Sequence, residues 1–497
     1  MPVAAQEQVD FGLFPVPAPA PTGISHEWKA QPRLWGHTFH PMCSYLGSFP
    51  AALAHAFIAR YSRPGDVVLD PFSGRGTVPL QACAERRIGA GNDLNPMAAV
   101  LSAAKIDPPT RLEAETRLAH LRIDWTLEAT DWMAVASAGP GALVERPMGG
   151  FDVLPREVAS AFHVRTLAQV LFLRRRLSTS ERTDRFLAGA LLGILHGRSG
   201  SYVSDLMPNS FSLGARYATA FAARRGTPAP DRDVFALLAA KVSRVYRDGL
   251  PPSRGVALHG DARDAGTRLR AALRARALPD RARLVLTSPP YLGTIRYGAA
   301  NWLRLWFLGE DPAAVDASLD APRRVPDYTR FVAEVLADLR GALAADGVVA
   351  LVVGDVATDL GRARAGDHRL ATAVWEGAAE PEGYRLAGIL TDEIASNRKM
   401  TRLWGAEAGR TTATDRILLL SPTELGRRRA IAASRAPVEW AWPPRRAAIL
   451  ARDAADVPPR RPRVDGSAGP HEESGSRPHD VPAPQLHPAA AGAPVRA

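Results

Sequence analysis

Five consecutive residues, Thr287-Ser288-Pro289-Pro290-Tyr291, carry the most readily named chemistry in this chain. They follow a short apolar run over 282–286 that reads as a buried strand. Two successive prolines have no N–H to donate to a ladder, so the chain must leave the sheet there in a stiff, extended turn. Ser288 is restricted in turn by the proline that follows it. The product is a rigid shelf with a hydroxyl at one end, carbonyls free of helix or sheet duty, and an aromatic ring at the other end. Such a shelf suits a planar heterocycle with an exocyclic amine: the ring stacks and the oxygens accept from the NH2. A Pro-Pro loop with a tyrosine packed on the core is the plain alternative for five residues taken alone.

A second segment lies far upstream. Residues 66–77 read DVVLDPFSGRGT. Val67-Val68-Leu69 is a continuous apolar run, as expected of a strand buried on both faces of a parallel sheet. It ends in Asp70, then a loop with Gly74 and Gly76, then a helical run over 78–86. A glycine loop between strand and helix lets a ligand approach the backbone and presents helix N-terminal N–H groups. The pattern is not GxGxxG, and no Lys-Ser/Thr follows it, which disfavours a dinucleotide or ATP site. A next strand, 88–91, leads into Asn92-Asp93-Leu94-Asn95-Pro96. Asp93 falls about 20 positions after the first strand's end, where doubly wound folds bind a ribose diol. Its alternative is an N-cap for a helix over 97–105. A third piece, residues 256–264 (VALHGDARD), reads as a strand with Asp261 in the following loop, either a plain cap or a residue lining the same crevice.

DPFSGRGT, then GNDLNP, then TSPPY resembles the amino-methyltransferases that use S-adenosyl-L-methionine to modify exocyclic amines of DNA bases. The resemblance covers residues 33–109 and 253–422. The Ser-Pro-Pro-Tyr form is more typical of members acting on N4 of cytosine, and Asp-Pro-Pro-Tyr of those acting on N6 of adenine. It implies direct transfer to a base flipped out of the duplex, with Ser288, Pro289, Pro290 and Tyr291 at the catalytic shelf. Ser288 Oγ and the Pro289 carbonyl would accept the amine hydrogens and Tyr291 would stack on the base. It implies cofactor contacts from Asp70, Pro71, Phe72, Gly74, Gly76 and Thr77, from Asp93, Leu94 and Asn95, and from Asp261 and Ala262. Upstream, the segment from Gly36 through His40 and Pro41 to Pro50 resembles the one that covers the methionine end, although it departs from the commoner form. Residues 291–309 resemble a subset of the same enzymes. The cofactor motif precedes the catalytic one here, whereas many N4-cytosine enzymes run the other way. An N6-adenine DNA enzyme, an RNA base methyltransferase and a catalytically silent nucleic-acid-binding subunit remain as alternatives.

These motifs need a parallel sheet to bring them to one edge. Residues 347–353 read as a fifth strand after a helix over 328–345, and 385–391 and 415–420 supply two more, with 396–402 a loop between them. Alternating strands and helices give a three-layer α/β fold. The resemblance implies a Rossmann-like, doubly wound, mostly parallel seven-stranded sheet with an antiparallel final strand. The expected organisation is a flexible N-terminal arm over 1–30, a first methyltransferase part over 31–107, a mainly helical insertion over 108–252, a second methyltransferase part over 253–424, and a basic, largely disordered Pro/Ala/Arg-rich tail over 425–497. Within the insertion, 112–123, 156–177, 183–196 and 231–246 have helical spacing and 135–150 reads as a loop. The insertion reads as a target-recognition region or a structural lid. Its clusters Arg174-Arg175-Arg176 and Arg224-Arg225 suit phosphate contact or a solvated charged face.

Composition sets outer limits. The chain has 497 residues, 46% of them hydrophobic, enough for a large core. No run approaches the roughly 18 apolar residues of a membrane span, and no basic start followed by an apolar block marks a secretory signal. Only Cys43 and Cys83 occur, which argues against a disulfide framework or a cysteine-rich zinc site and fits a reducing cytoplasm. No metal is expected. Neither cysteine follows a proline in the manner of C5-cytosine nucleophiles. The formal charge of +11 favours a polyanionic partner, DNA with RNA as the alternative. Arginine supplies nearly all of it, because lysine occurs only at 29, 105, 241 and 399. The resemblance makes restriction–modification the setting; no residue points to an endonuclease partner or to an oligomeric state.

Overall fold

The computed structural model describes residues 25–147, 149–197, 199–204, 214–226, 228–290, 296–319, 322, 324–354, 369–393 and 414–440. Tyr291, the loop at 396–402, the arm before residue 25 and the tail beyond residue 440 lie outside the described residues.

Seven strands form one sheet: β1 (Val67–Asp70), β2 (Ile88–Asp93), β3 (Val256–His259), β4 (Ala282–Thr287), β5 (Leu343–Gly354), β6 (Arg385–Glu393) and β7 (Thr414–Ser421), in the spatial order β3-β2-β1-β4-β5-β7-β6. The pairs from β3 to β5 are all parallel, and β7 runs antiparallel to both of its neighbours. The order reverses between β1 and β4, so their carboxyl ends flank the crevice where open α/β sheets bind ligands. β1 is buried throughout, as its unbroken apolar run demands.

Close packing of the Thr77–Ala84 helix on β2 explains the glycines of that strand. A Cβ on Gly89 would sit 2.1 Å from the Pro79 carbonyl oxygen. Beneath one face, Leu69, Val285, Leu269, Tyr328 and Leu336 form an apolar cluster with the Ala265–Arg274 and Val325–Ala342 helices. A second cluster joins Met97 and Leu101 of the Pro96–Ile106 helix to Leu171, Phe172, Leu191 and Phe235 of the segment between that helix and β3. The inserted segment therefore shares a core with the helix that follows β2.

That segment carries the Arg111–Ser137, Val164–Arg176, Arg182–Leu192 and Val234–Val245 helices. The first is far longer than the 112–123 expected, because Ile123 and Leu127 are solvent-exposed and break the apolar period. The stretch read as a loop over 135–150 contains one strand of a small hairpin, Leu143–Glu145 paired with Phe151–Val153. The arginine cluster is split, with Arg175 and Arg176 on the solvent-exposed face and Arg174 turned inward. Arg174 is buried, donates to the Trp306 carbonyl and pairs with Asp152, while Arg175 and Arg176 pair with Glu145 and Glu128. Among the described residues no helix is long and apolar enough to cross a membrane.

Candidate active site

The turns after β1, β2, β3 and β4 open into one cleft of about 1110 Å³, its mouth included. Asp70, Pro71, Phe72, Ser73, Gly74 and Thr77 line it from the first turn, Asp93, Leu94 and Asn95 from the second, Asp261 and Ala262 from the third, and Ser288, Pro289 and Pro290 from the fourth. The two segments separated by the whole insertion thus meet at one edge. Tyr45, Gly47, Ser48 and Phe49 close a further side, with Tyr297, Leu319 and Phe331.

The first turn is held from below. Gly76 has φ +76, and a Cβ there would lie 2.9 Å from both the backbone and the hydroxyl of Ser102. Ser102 Oγ donates to the Gly74 carbonyl at 3.2 Å. Lys105, fully buried, donates from Nζ to the Arg75 carbonyl at 2.6 Å. Burial, first of all, and then the positive charge of Arg75 hold its amine well below the usual lysine range. Gly76 braces the turn but does not line the cleft.

Asp93 ends β2 and takes two amides: Gly74 N at 2.7 Å and Asn95 N at 2.9 Å. The N-cap of the Pro96–Ile106 helix is Asn95, which accepts from Met97 N, so Asp93 is not the cap. Burial raises the Asp93 carboxyl to about 6, against the two amides and His259, which lower it. Asp70 is raised to about 7, again chiefly by burial, against hydrogen bonds from Thr287 Oγ1 (2.6 Å) and Phe72 N (3.1 Å) and with the Asp93 charge adding to the rise. Asp261 is both a cap and a cleft residue: it accepts from Arg263 N and pairs with the Arg263 guanidinium, which holds its carboxyl below the ordinary value. Asn92 is fully buried and ties three turns together, donating to the Gly260 carbonyl at 2.8 Å and the Pro71 carbonyl at 3.3 Å.

His40 and Pro41 do not line the cleft. The His40 ring is buried against Gln81, with a 2.8 Å Nε2–Oε1 hydrogen bond, and desolvation holds it well below the ordinary histidine value. The Pro41 carbonyl accepts from Lys241 Nζ at 3.2 Å. The stretch a few residues later reaches the cleft instead. Tyr45 packs 3.5 Å from the Cβ position of Gly74, its hydroxyl takes the Asn95 side-chain amide at 3.1 Å, and its ring stacks on Tyr297 with centroids 5.5 Å apart. Arg304, buried on the Trp302–Leu308 helix, donates to the Ser44 carbonyl and hydroxyl, both at 2.9 Å, and to the Leu192 carbonyl at 3.1 Å. One side chain thereby joins the segment after the shelf, the segment before Tyr45 and the inserted helices. Neither Tyr45 nor Phe331 was singled out in the sequence: the first sits in an aperiodic loop within the 36–50 segment, the second on the apolar stripe of a helix.

The sheet is Rossmann-like: doubly wound, mostly parallel, with one antiparallel strand. Over residues 25–100 the chain matches the family model described as DNA methylase, of the N6/N4 type. Among solved structures the chain is similar to TrmN from Thermus thermophilus, at 12% identity and a TM-score of 0.27, covering 77% of this chain and 52% of that one. The chain thus spans about half the length of TrmN. It is also similar to the rRNA methyltransferase aviRa from Streptomyces viridochromogenes, at 14% identity and a TM-score of 0.28, covering 79% of this chain and 92% of that one. No curated protein matches the chain in sequence.

Proposed function

We propose that this protein is a methyltransferase that uses S-adenosyl-L-methionine and acts on an exocyclic amine of a nucleic-acid base, with N4 of cytosine in DNA as the favoured target. The observation that carries the reading is the shared cleft: the glycine turn after β1 and the Ser-Pro-Pro turn after β4 line one cavity.

The residues fit the cofactor. Asp93 stands at the end of β2 with its carboxylate on the cleft, the place for a ribose diol. Phe72, Leu94, Ala262 and Phe331 give an apolar slot beside Asp261, suited to adenine edged by an acceptor. Asp70 and the Gly74 turn are left for the methionine end. Three carboxylates face the cleft and no basic side chain lines it among the described residues, which suits a ligand of net positive charge. The bound cofactor would supply an electrophilic methyl on a sulfonium.

The chain's own work is positioning and polarity. A base amine is a poor nucleophile because its lone pair is delocalised into the ring. Ser288 Oγ and the Pro289 carbonyl accept its two hydrogens and favour a pyramidal nitrogen, and the stiff Pro289-Pro290 step holds those acceptors still. Tyr291 stacks on the base, which must leave a duplex to reach the shelf.

Expression in a host without DNA methylation, followed by chromatography of the genomic nucleosides, tests this directly. N4-methylcytosine is expected. N6-methyladenine would shift the target, and unmodified DNA together with no cofactor binding in calorimetry would end the proposal. Tyr291→Ala is expected to abolish transfer while cofactor binding persists.

A further inference from the structure

Thr287 is fully buried at the end of β4, one residue before the shelf. Nothing about packing asks for a hydroxyl there. Valine has the same branched shape, the same preference for strands and no polar atom to desolvate. The hydroxyl has a specific employment: it donates 2.6 Å to Asp70 Oδ1, at the end of the neighbouring strand β1. That is at the short end of O–H···O hydrogen bonds, where bonds to an ionised carboxylate also fall. It crosses between two strands that belong to different halves of the site and that the insertion separates in sequence.

From this we infer that Thr287 is a positioning residue, whose hydroxyl registers the Ser288-Pro289-Pro290 shelf against the cofactor turn through Asp70. The inference rests on the methyltransferase reading above and deepens it. The lever is short and stiff. Ser288 and the two prolines have restricted backbone angles, so a rotation of Thr287 is passed to the Ser288 hydroxyl and Pro289 carbonyl with little damping. Asp70 shares the same oxygen with the Phe72 amide at 3.1 Å, so one carboxylate sets the path of both turns. Misplacement of reacting groups by about 1 Å costs about 100-fold in rate.

The same bond leaves a second signature. The groups that face the Asp70 carboxyl are the Thr287 hydroxyl from β4, the Phe72 amide in its own turn and the Asp93 carboxylate from the end of β2. Thr287 and Phe72 favour its ionised form; burial and Asp93 oppose it. Removing the hydroxyl therefore moves the protonation of Asp70 to higher pH. An ionised Asp70 is the form that attracts a cationic cofactor, so the acid-side loss of cofactor affinity must begin at higher pH as well.

The test uses the full chain with Thr287→Val and Thr287→Ser, cofactor affinity by calorimetry across neutral pH, and transfer of labelled methyl groups to unmethylated genomic DNA. Thr287→Val is expected to bind cofactor within about threefold of wild type at high pH, to lose about 10–100-fold in kcat with a much smaller change in KM for DNA, and to show its acid limb of affinity at higher pH. Thr287→Ser restores the hydroxyl and is expected to recover most of kcat and the original limb. Thr287→Ala carries the same test if the valine variant does not fold. Wild-type kcat and an unmoved limb in Thr287→Val, or a serine variant as impaired as the valine one, would overturn the role of Thr287. A wild-type protein that binds no cofactor would overturn the methyltransferase reading instead, so the two failures are distinct.

Discussion

The Asp93 carboxylate accepts the Gly74 amide at 2.7 Å, so the acid at the end of β2 and the glycine turn after β1 form one unit. Its other oxygen holds Asn95 N. A single side chain therefore supports both the expected ribose contact and the shape of the turn. Asp93→Ala is expected to weaken cofactor binding by about 1–3 kcal/mol, the range for stranding buried hydrogen-bond partners, and to lower thermal stability as well because two backbone amides lose their acceptor. Calorimetry and thermal unfolding on the same preparation check both. A variant with intact affinity would remove Asp93 from the cofactor site.

The two cleft carboxyls predict an unusual pH dependence. Asp70 is raised to about 7 and Asp93 to about 6, in both cases mainly by burial. A carboxyl whose folded-state pKa exceeds its unfolded one binds its proton more tightly when folded. Its contribution to stability is fully present below the unfolded value near 4 and is lost as pH rises through 6 and 7. Asp70→Asn keeps the shape without the charge. It is expected to gain on the order of 1–3 kcal/mol over wild type at about pH 8, little at about pH 4, and to lose cofactor affinity. Urea titrations at the two pH values measure the difference, and a gain independent of pH would show that the buried charge is not the cause.

The parts of the site visible in the sequence were those where chemistry and chain geometry coincide. Val67-Val68-Leu69 and the run before Thr287 read as buried strands, and the residues that stop them, Asp70 and the prolines, are also the ones at the cleft. Asp93 stood open between a cap and a ligand contact, and the structure removes the first of these because Asn95 takes the cap. Tyr45 was hidden because a loop has no period to read, and His40, expected at the cofactor, stays out of the cleft because its ring turns to Gln81. Phe331 was hidden for the opposite reason: its helix is amphipathic, and a residue on its apolar stripe reads as core whether or not a cleft opens beside it. Arg304 was the hardest of all, since most of its partners belong to distant segments.

Gly76 fixes the glycine turn by close approach as much as by its backbone angle. With φ +76 and a Cβ position 2.9 Å from the Ser102 backbone, alanine meets both strain and collision. Gly76→Ala is expected to cost about 2–4 kcal/mol in stability, combining left-handed backbone strain with local overpacking. Denaturant unfolding gives the number, and a loss under about 0.5 kcal/mol, the scale of an ordinary surface change, would mean that the turn adapts.

The stacked pair Tyr45 and Tyr297 closes the cleft over the glycine turn, with ring centroids 5.5 Å apart and planes tilted by 20°. Tyr45 is anchored by Asn95 at its hydroxyl and lies against Gly74. Tyr297 comes from the segment after the shelf, at the start of the Tyr297–Ala300 helix, where Asp316 accepts the Gly298 and Ala299 amides at 2.7 and 3.0 Å. The stack thus joins the segment after the Ser-Pro-Pro turn to the glycine turn by ring faces. Tyr297→Phe keeps the ring and is expected to bind cofactor like wild type. Tyr297→Leu loses the stack and is expected to weaken binding by about 0.5–1.5 kcal/mol, the worth of one aromatic pair beyond its buried area. Isothermal titration of both variants decides the matter: equal affinities for Phe and Leu would show that the ring contributes only bulk, and a loss in Phe as large as in Leu would shift the role to the phenol hydroxyl.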